Sequence, residues 1–126
     1  MLDTCRVHAA LPATDLGRAR QFYEGTLGLT PERERTAGVR YECGGGSGLF
    51  VFPTSGGDRG GHTQAGFEVP DIDAAVLALR ARGVAFEEYR TPALQTVDGV
   101  ATESDGSRAA WFEDSEGNLL VLVQYA

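Results

Sequence analysis

Apolar residues recur at helical spacing in two stretches of the chain, and an aspartate precedes each stretch. Asp15 precedes the first stretch and Asp71 the second. An aspartate side chain in that position accepts a hydrogen bond from an otherwise unpaired backbone N–H at the start of a helix. Gly28 and Gly83 follow the stretches and are typical helix stops. The pattern therefore predicts two amphipathic helices, each between its aspartate and its glycine.

The segments around the two helices repeat. His8–Leu16 aligns with Gln64–Ile72, each an extended run that ends where a helix begins. Farther along, runs rich in aromatic and β-branched residues flank short turn sequences, which is typical of hairpins. Aligning these later runs pairs Tyr41 with Trp111, Leu49 with Leu119, and Val51 with Val121. Each half of the chain is thus predicted to form a strand, a helix and then further strands.

The repeat and the length together predict the domain organisation. A chain of 126 residues is the size of one domain. We predict a single domain, 1–126, made of modules 1–55 and 62–126 that are joined by the glycine-rich linker 56–61. The polar stretch Arg90–Ser107 accounts for the greater length of the second half. It is predicted to be a long loop, and long loops often carry function.

Composition narrows the classes of partner. The net charge is −7 and the pI is about 4.7. This charge argues against nucleic-acid binding, because that function needs clustered positive side chains. No apolar run is long enough to span a bilayer, and the N-terminus lacks a signal-peptide pattern. We therefore predict a cytoplasmic protein without nucleic-acid or membrane partners. All 11 basic residues are arginine, which suggests a GC-rich bacterial genome.

Three segments carry a family resemblance: Leu11–Tyr23 with Leu27–Leu29, Gly66–Asp73, and Trp111–Leu119. In order and spacing they resemble the vicinal-oxygen-chelate superfamily, which includes glyoxalase I, extradiol dioxygenases, and fosfomycin- and bleomycin-resistance proteins. The resemblance implies an α+β fold in which two βαβββ modules form a curled mixed-sheet cup with the helices outside. It also implies a ligand inside the cup and, often, a homodimer. It does not fix the function, because lyases, epimerases, dioxygenases and drug binders share the fold.

The resemblance also assigns four positions to metal ligands: His8, Val51, Gln64 and Val121. Imidazole and amide oxygen can bind a divalent metal, but the two valines have no donor atom. We therefore predict no metal cofactor. His62 lies two residues before Gln64, so that the two would share a face of a strand and could form a polar cluster with His8. The alternative is that His62 lies in solvent at the end of the linker.

The remaining predicted pocket wall is apolar and aromatic. Val51 and Val121 are expected to point into the cup, with Tyr41 and Trp111 on equivalent strands beside the ligand. Such a lining suits an organic molecule held by burial and stacking. The alternatives are that the aromatic residues fill the core beneath the helices, and that His8 is a buried, hydrogen-bonded histidine.

Two functions follow. The first is a metal-independent protein that binds a small, partly aromatic organic molecule, of the sequestration type found among antibiotic-resistance proteins. The alternative is a metal-dependent lyase, isomerase or dioxygenase that uses His8, Gln64 and His62, with water or substrate completing the coordination sphere. Metal-free acid–base catalysis by His8 is a third possibility.

Overall fold

The structure, a computed structural model, describes residues 1–55 and 62–126. The chain divides into two compact units, which comprise Met1–Arg59 and Gly60–Ala126. The predicted linker 56–61 lies outside the described residues, and the assignment of the whole chain to one domain stays a prediction. No described helix combines the length and the apolar character needed to cross a membrane.

Unit 1 contains one helix and a four-stranded sheet. Its elements are β1 (His8–Ala13), α1 (Leu16–Arg20, continued by a π-helical turn Gln21–Thr26), β2 (Pro31–Arg35), β3 (Gly38–Glu42) and β4 (Gly48–Pro53). Short 3-10 turns cover Leu2–Thr4 and Gly44–Gly46. The strand order is β1-β4-β3-β2, with β1 parallel to β4 and the other pairs antiparallel. This is the predicted βαβββ module.

Unit 2 repeats this arrangement. Its elements are β5 (Thr63–Glu68), α2 (Ile72–Ala81), β6 (Ala101–Thr102), β7 (Arg108–Glu113) and β8 (Leu119–Gln124). The order β5-β8-β7-β6 matches that of unit 1, and β5 is parallel to β8. The α+β fold of two βαβββ modules, each with an open mixed sheet, is therefore confirmed.

Both helices begin at the predicted aspartates. The side chain of Asp15 accepts a hydrogen bond from the Arg18 N–H at 3.0 Å, and that of Asp71 accepts one from the Ala74 N–H at 3.1 Å. Each bond satisfies a backbone donor that the first turn of a helix leaves without a partner. Gly28 and Gly83 have φ angles of 75° and 92°, which glycine adopts without strain.

The predicted loop Arg90–Ser107 is more ordered than the sequence indicated, because it contains β6 and a tight turn. Asp98 and Gly99, with φ angles of 51° and 81°, form a two-residue turn between Val97 and Val100. The Glu88 carboxylate fixes this turn by accepting a hydrogen bond from the Gly99 N–H at 2.6 Å. The sequence did not predict these elements, because the segment is polar and has no run of alternating apolar residues.

Each sheet has one face against its helix and one open face. In unit 1 the helix residue Tyr23 stacks on Tyr41 of β3, with ring centroids 5.9 Å apart, so Tyr41 lies on the helix side. Strand pairing puts Leu49 beside Tyr41, and Val51 two residues along β4 on the same side. These side chains, with Leu11, form the core of unit 1 and are at most 5% exposed.

In unit 2 the helix side is defined by a chain of contacts. Arg80 of α2 lies over the Phe86 ring at 5.6 Å, and Phe86 packs edge-on against Phe112 of β7 at 5.4 Å. Phe112 pairs with Leu120 of β8. The core on this side consists of Ile72, Val76, Ala110, Phe112, Leu120 and Leu122.

Candidate ligand-binding faces

The open face of unit 1 carries an aromatic row at one end. His8 contacts Phe50 with ring centroids 5.8 Å apart, and Phe50 stacks on Phe52 at 6.5 Å. Phe50 and Phe52 are half-buried, and His8 is exposed. Gly38 makes room for this row, because a Cβ there would lie 2.8 Å from the Phe50 Cζ. The row is a partly solvated aromatic surface against which an aromatic ring can pack.

Charged side chains pair with one another beside this row. Arg6 bonds Glu42 at 3.1 Å and lies 3.6 Å from Glu32. Arg40, which lies over Gly48, also pairs with Glu32. Because each charge has a partner, this cluster presents little uncompensated charge to a ligand.

The open face of unit 2 is built around Trp111. Its ring meets Tyr89 edge-on, with centroids 5.5 Å apart, and its Nε1 donates a hydrogen bond to the Thr63 Oγ1 at 3.2 Å. Val121 pairs with Trp111 and leans over Gly66, where a Cβ would lie 2.9 Å from the Val121 Cγ1. Burial raises the pKa of the Tyr89 phenol above its usual value, and the negative charges of Glu87 and Glu113 add to the effect.

Two of the predicted wall residues lie on the other side of their sheet. Val51 is 1% exposed and Tyr41 0% exposed, both against α1 and its continuation. Tyr41 donates a hydrogen bond to the Glu24 Oε2 at 2.8 Å, and burial, together with this bond, raises the pKa of its phenol. The expectation that Val51 points into an open pocket is therefore wrong. Tyr41 fills the core beneath the helix, which was the alternative to a place beside the ligand.

The physical reason is a slip of one residue in the alignment of the two halves. Val51 lies between Leu11 and Val39, just as Leu122 lies between Phe67 and Ala110. The counterpart of Val51 is therefore Leu122, and the counterpart of Val121 is Phe50. Since successive strand residues point to opposite faces, a slip of one residue reverses every assignment along the strand.

The structure separates the remaining predicted residues by unit. His8 lies on the open face of unit 1 and is exposed, so the alternative of a buried histidine is wrong. Trp111 and Val121 lie together on the face of the unit 2 sheet opposite α2, where Val121 is 9% exposed. His62 is exposed at the start of unit 2, and Gln64 is half-buried in an irregular step of β5. Whether any of them binds a ligand stays a prediction.

Phe50, Phe52 and Tyr89 are open-face residues that the sequence reasoning did not select. The first two alternate with Leu49 and Val51 along β4, so correct alternation would have found them. Tyr89 follows β5 and α2 in a segment without strand periodicity. Its place beside Trp111 depends on a long-range backbone bond, in which the Glu87 N–H donates to the Trp111 carbonyl oxygen at 2.8 Å.

A divalent metal does not fit the donors at the four family positions. The open-face residues of β4 are Gly48, Phe50 and Phe52, and those of β8 are Leu119, Val121 and Val123. None of these side chains has a donor atom, so correcting the alignment adds no ligand. His8 and Gln64 are the only donors that remain at the four positions. Within residues 1–55 and 62–126, no three His, Cys, Asp or Glu side chains cluster as metal ligands do.

Comparisons with known proteins agree with this fold. The model of the Glyoxalase/Bleomycin resistance protein/Dioxygenase superfamily matches residues 6–122. None of the curated proteins matches the chain.

Among solved structures, a superfamily member from Sphaerobacter thermophilus is 25% identical, with a TM-score of 0.74 and coverage of 98% of this chain and 99% of that one. A glyoxalase family protein from Enterococcus faecalis is 19% identical, with a TM-score of 0.76 and the same coverages. A lactoylglutathione lyase from Agrobacterium tumefaciens is 20% identical, with a TM-score of 0.72 and coverages of 98% and 96%. The chain therefore belongs to the Glyoxalase/Bleomycin resistance protein/Dioxygenase superfamily.

Proposed function

We propose that this protein binds a small, partly aromatic organic molecule on its open sheet faces without a metal ion, as a sequestration or resistance protein does. The observation that supports the proposal is the chemistry of the last strand of each unit, β4 and β8. Every open-face side chain of β4 and β8 lacks a metal-binding atom, and those at the centres of the two strands are Phe50 and Val121.

The two open faces supply the interactions that such a ligand needs. Phe50 and Phe52 offer ring surface in unit 1, and Trp111 and Tyr89 offer it in unit 2. Aromatic side chains bind planar ligands through buried area and stacking, and a few polar groups then fix the orientation. The exposed His8 imidazole, beside Phe50, is one such polar group.

The experiment is a calorimetric titration with metal-free bleomycin and a set of planar aromatic compounds, with and without EDTA. We expect saturable binding that EDTA leaves unchanged and that Phe50→Ala weakens about tenfold, because the substitution removes a stacking surface. Leu77→Ala is the control, since it removes an exposed apolar side chain from α2, away from both open faces. Binding that EDTA abolishes and added metal restores would contradict the proposal.

Two observations favour the metal-dependent lyase, isomerase or dioxygenase as a second candidate. His8 is exposed, and the Gln64 Oε1 accepts no hydrogen bond from the described residues. Titration with Ni, Zn, Mn and Fe(II) tests this candidate. It requires one-to-one binding that His8→Ala abolishes, whereas the first proposal predicts no saturable binding.

We further propose a cytoplasmic homodimer, since family resemblance and open sheet edges favour pairing. Light scattering at micromolar concentration tests the dimer, and a monomeric mass would refute it.

A further inference from the structure

The Gln64 carboxamide oxygen is a buried acceptor that has no donor among the described residues. The side chain as a whole is half-buried, but its Oε1 has less than 1 Å² of accessible area and accepts no hydrogen bond from the described residues. Buried polar atoms are nearly always paired, because an unpaired one loses its hydration without compensation. An exception needs an explanation.

A second glutamine of unit 2 shows how the fold uses the same group structurally. The Gln124 Oε1 accepts a hydrogen bond from the Ile72 N–H at 2.8 Å, at the first turn of α2. That oxygen satisfies a backbone donor that the helix leaves without a partner. Gln124 therefore stabilises the fold through its amide, whereas the Gln64 oxygen makes no such bond with residues 1–55 and 62–126.

The position of Gln64 places this acceptor next to the aromatic face of unit 2. The register of β5 slips between Thr63, which pairs with Leu119, and Ala65, which pairs with Leu120, so that Gln64 is the extra residue of a bulge. Bulges redirect side chains and are common beside binding sites. Its neighbour Thr63 already accepts the Trp111 indole N–H, which is therefore not available to Gln64.

We propose that Gln64 is a specificity-determining acceptor, which selects aromatic ligands that carry an N–H or O–H donor. The inference rests on the proposed binding function and adds the chemical class of the ligand. The last torsion of a glutamine side chain is soft, so the amide can turn its oxygen toward a ligand that occupies the face. A ligand without a donor leaves the oxygen unpaired and binds more weakly.

The first test compares thermal unfolding of Gln64→Met and Gln124→Met, which remove the same amide from two positions in unit 2. We expect Gln124→Met to lower the midpoint, because the Ile72 N–H loses its acceptor. Gln64→Met should leave the midpoint unchanged or raise it, because no hydrogen bond is lost. A decrease as large as that of Gln124→Met would show a structural bond at Gln64 and overturn the inference.

The second test uses a matched pair of probes, naphthalene carboxamide and its N,N-dimethyl derivative, which has no N–H. We expect the wild-type protein to bind the carboxamide with an affinity about tenfold higher than that for the dimethyl derivative. Gln64→Met should bind the two probes with equal affinity. Any steric effect of the methyl groups is common to both proteins and cancels in this comparison.

The remaining outcomes separate the inference from the function on which it rests. Equal binding of both probes to wild type, or a preference that survives in Gln64→Met, would overturn the role of Gln64 and leave aromatic binding in place. If neither probe bound wild type, the proposed function and the inference would both fail. Saturable binding of Mn or Ni that Gln64→Met abolishes would assign the oxygen to a cation instead.

Discussion

The two units share their helix-facing surfaces and differ on their open faces. Val51 and Tyr41 in unit 1 have apolar, buried counterparts in unit 2, namely Leu122 and Phe112. On the open faces, Phe50 corresponds to Val121 and Arg40 to Trp111, which are chemically unlike. The helix-facing residues are constrained by packing, and the same apolar pattern therefore occurs in both units. The open faces are free of that constraint, and their chemistry is where we expect the ligand specificity to lie.

The largest effect should come from placing a carboxylate on the helix side. Val51→Asp would bury an unpaired charge between α1 and its sheet, and we expect a loss of about 4 kcal/mol or more of unfolding free energy. Ala10→Asp introduces the same carboxylate on the exposed side of the neighbouring strand. Chemical denaturation of both variants checks the comparison. A tolerated Val51→Asp together with an unfolded Ala10→Asp would reverse our assignment of the two faces.

Removal of the helix caps should have a smaller effect, similar in the two units. Asp15→Ala and Asp71→Ala each remove one hydrogen bond to the first turn of a helix, and we expect each to cost about 1 kcal/mol. Asp15→Asn and Asp71→Asn, which keep a capping oxygen, are the controls. Urea unfolding measures all four variants. A loss at only one of the two positions would contradict the structural equivalence of the helices.

The smallest effect is the contribution of Glu24 in unit 1 to the pH dependence of stability. A hydrogen bond from Arg20, aided by Tyr41, lowers the pKa of Glu24 below its usual 4.5. A carboxylate with a lowered pKa stabilises the fold above pH 4.5, and this contribution is lost as the pH falls through the folded-state pKa. Thermal unfolding from neutral pH down to about pH 3 should therefore show a shallower acid-side decline in Glu24→Gln than in wild type. Identical slopes would exclude this role of Glu24.

The sequence predicted the fold well because the fold depends on local signals. Aspartate caps, glycine stops and helical spacing are readable over a few residues, and they placed both helices and both modules. The β6 strand was missed because long-range pairing creates it. The Asp98–Gly99 turn was missed although Asp-Gly is a local hairpin signal, because no alternating strand pattern flanks it and the Glu88 carboxylate that fixes it lies 11 residues before Gly99 in the sequence.

The candidate site was less predictable, because it depends on strand register. Val51 and Phe50 are adjacent and both apolar, so hydrophobicity alone does not tell which one faces the helix. Tyr89 reaches Trp111 through a backbone contact that no sequence pattern encodes. His8 and Val121, which the family resemblance selected, and Trp111, which the alignment of the two halves selected, lie on the open faces in the structure. Whether they bind a ligand stays a prediction.

In the proposed function, an aromatic ligand occupies the open faces without metal. Amide NMR spectra of the protein during titration with metal-free bleomycin in EDTA test it most directly, because the single Trp gives one indole N–H signal. We predict shifts of that signal and of the amides around His8 and Phe50, with the amides of α1 and α2 unchanged. Shifts confined to the helices, or shifts that appear only after a metal is added, would contradict the account.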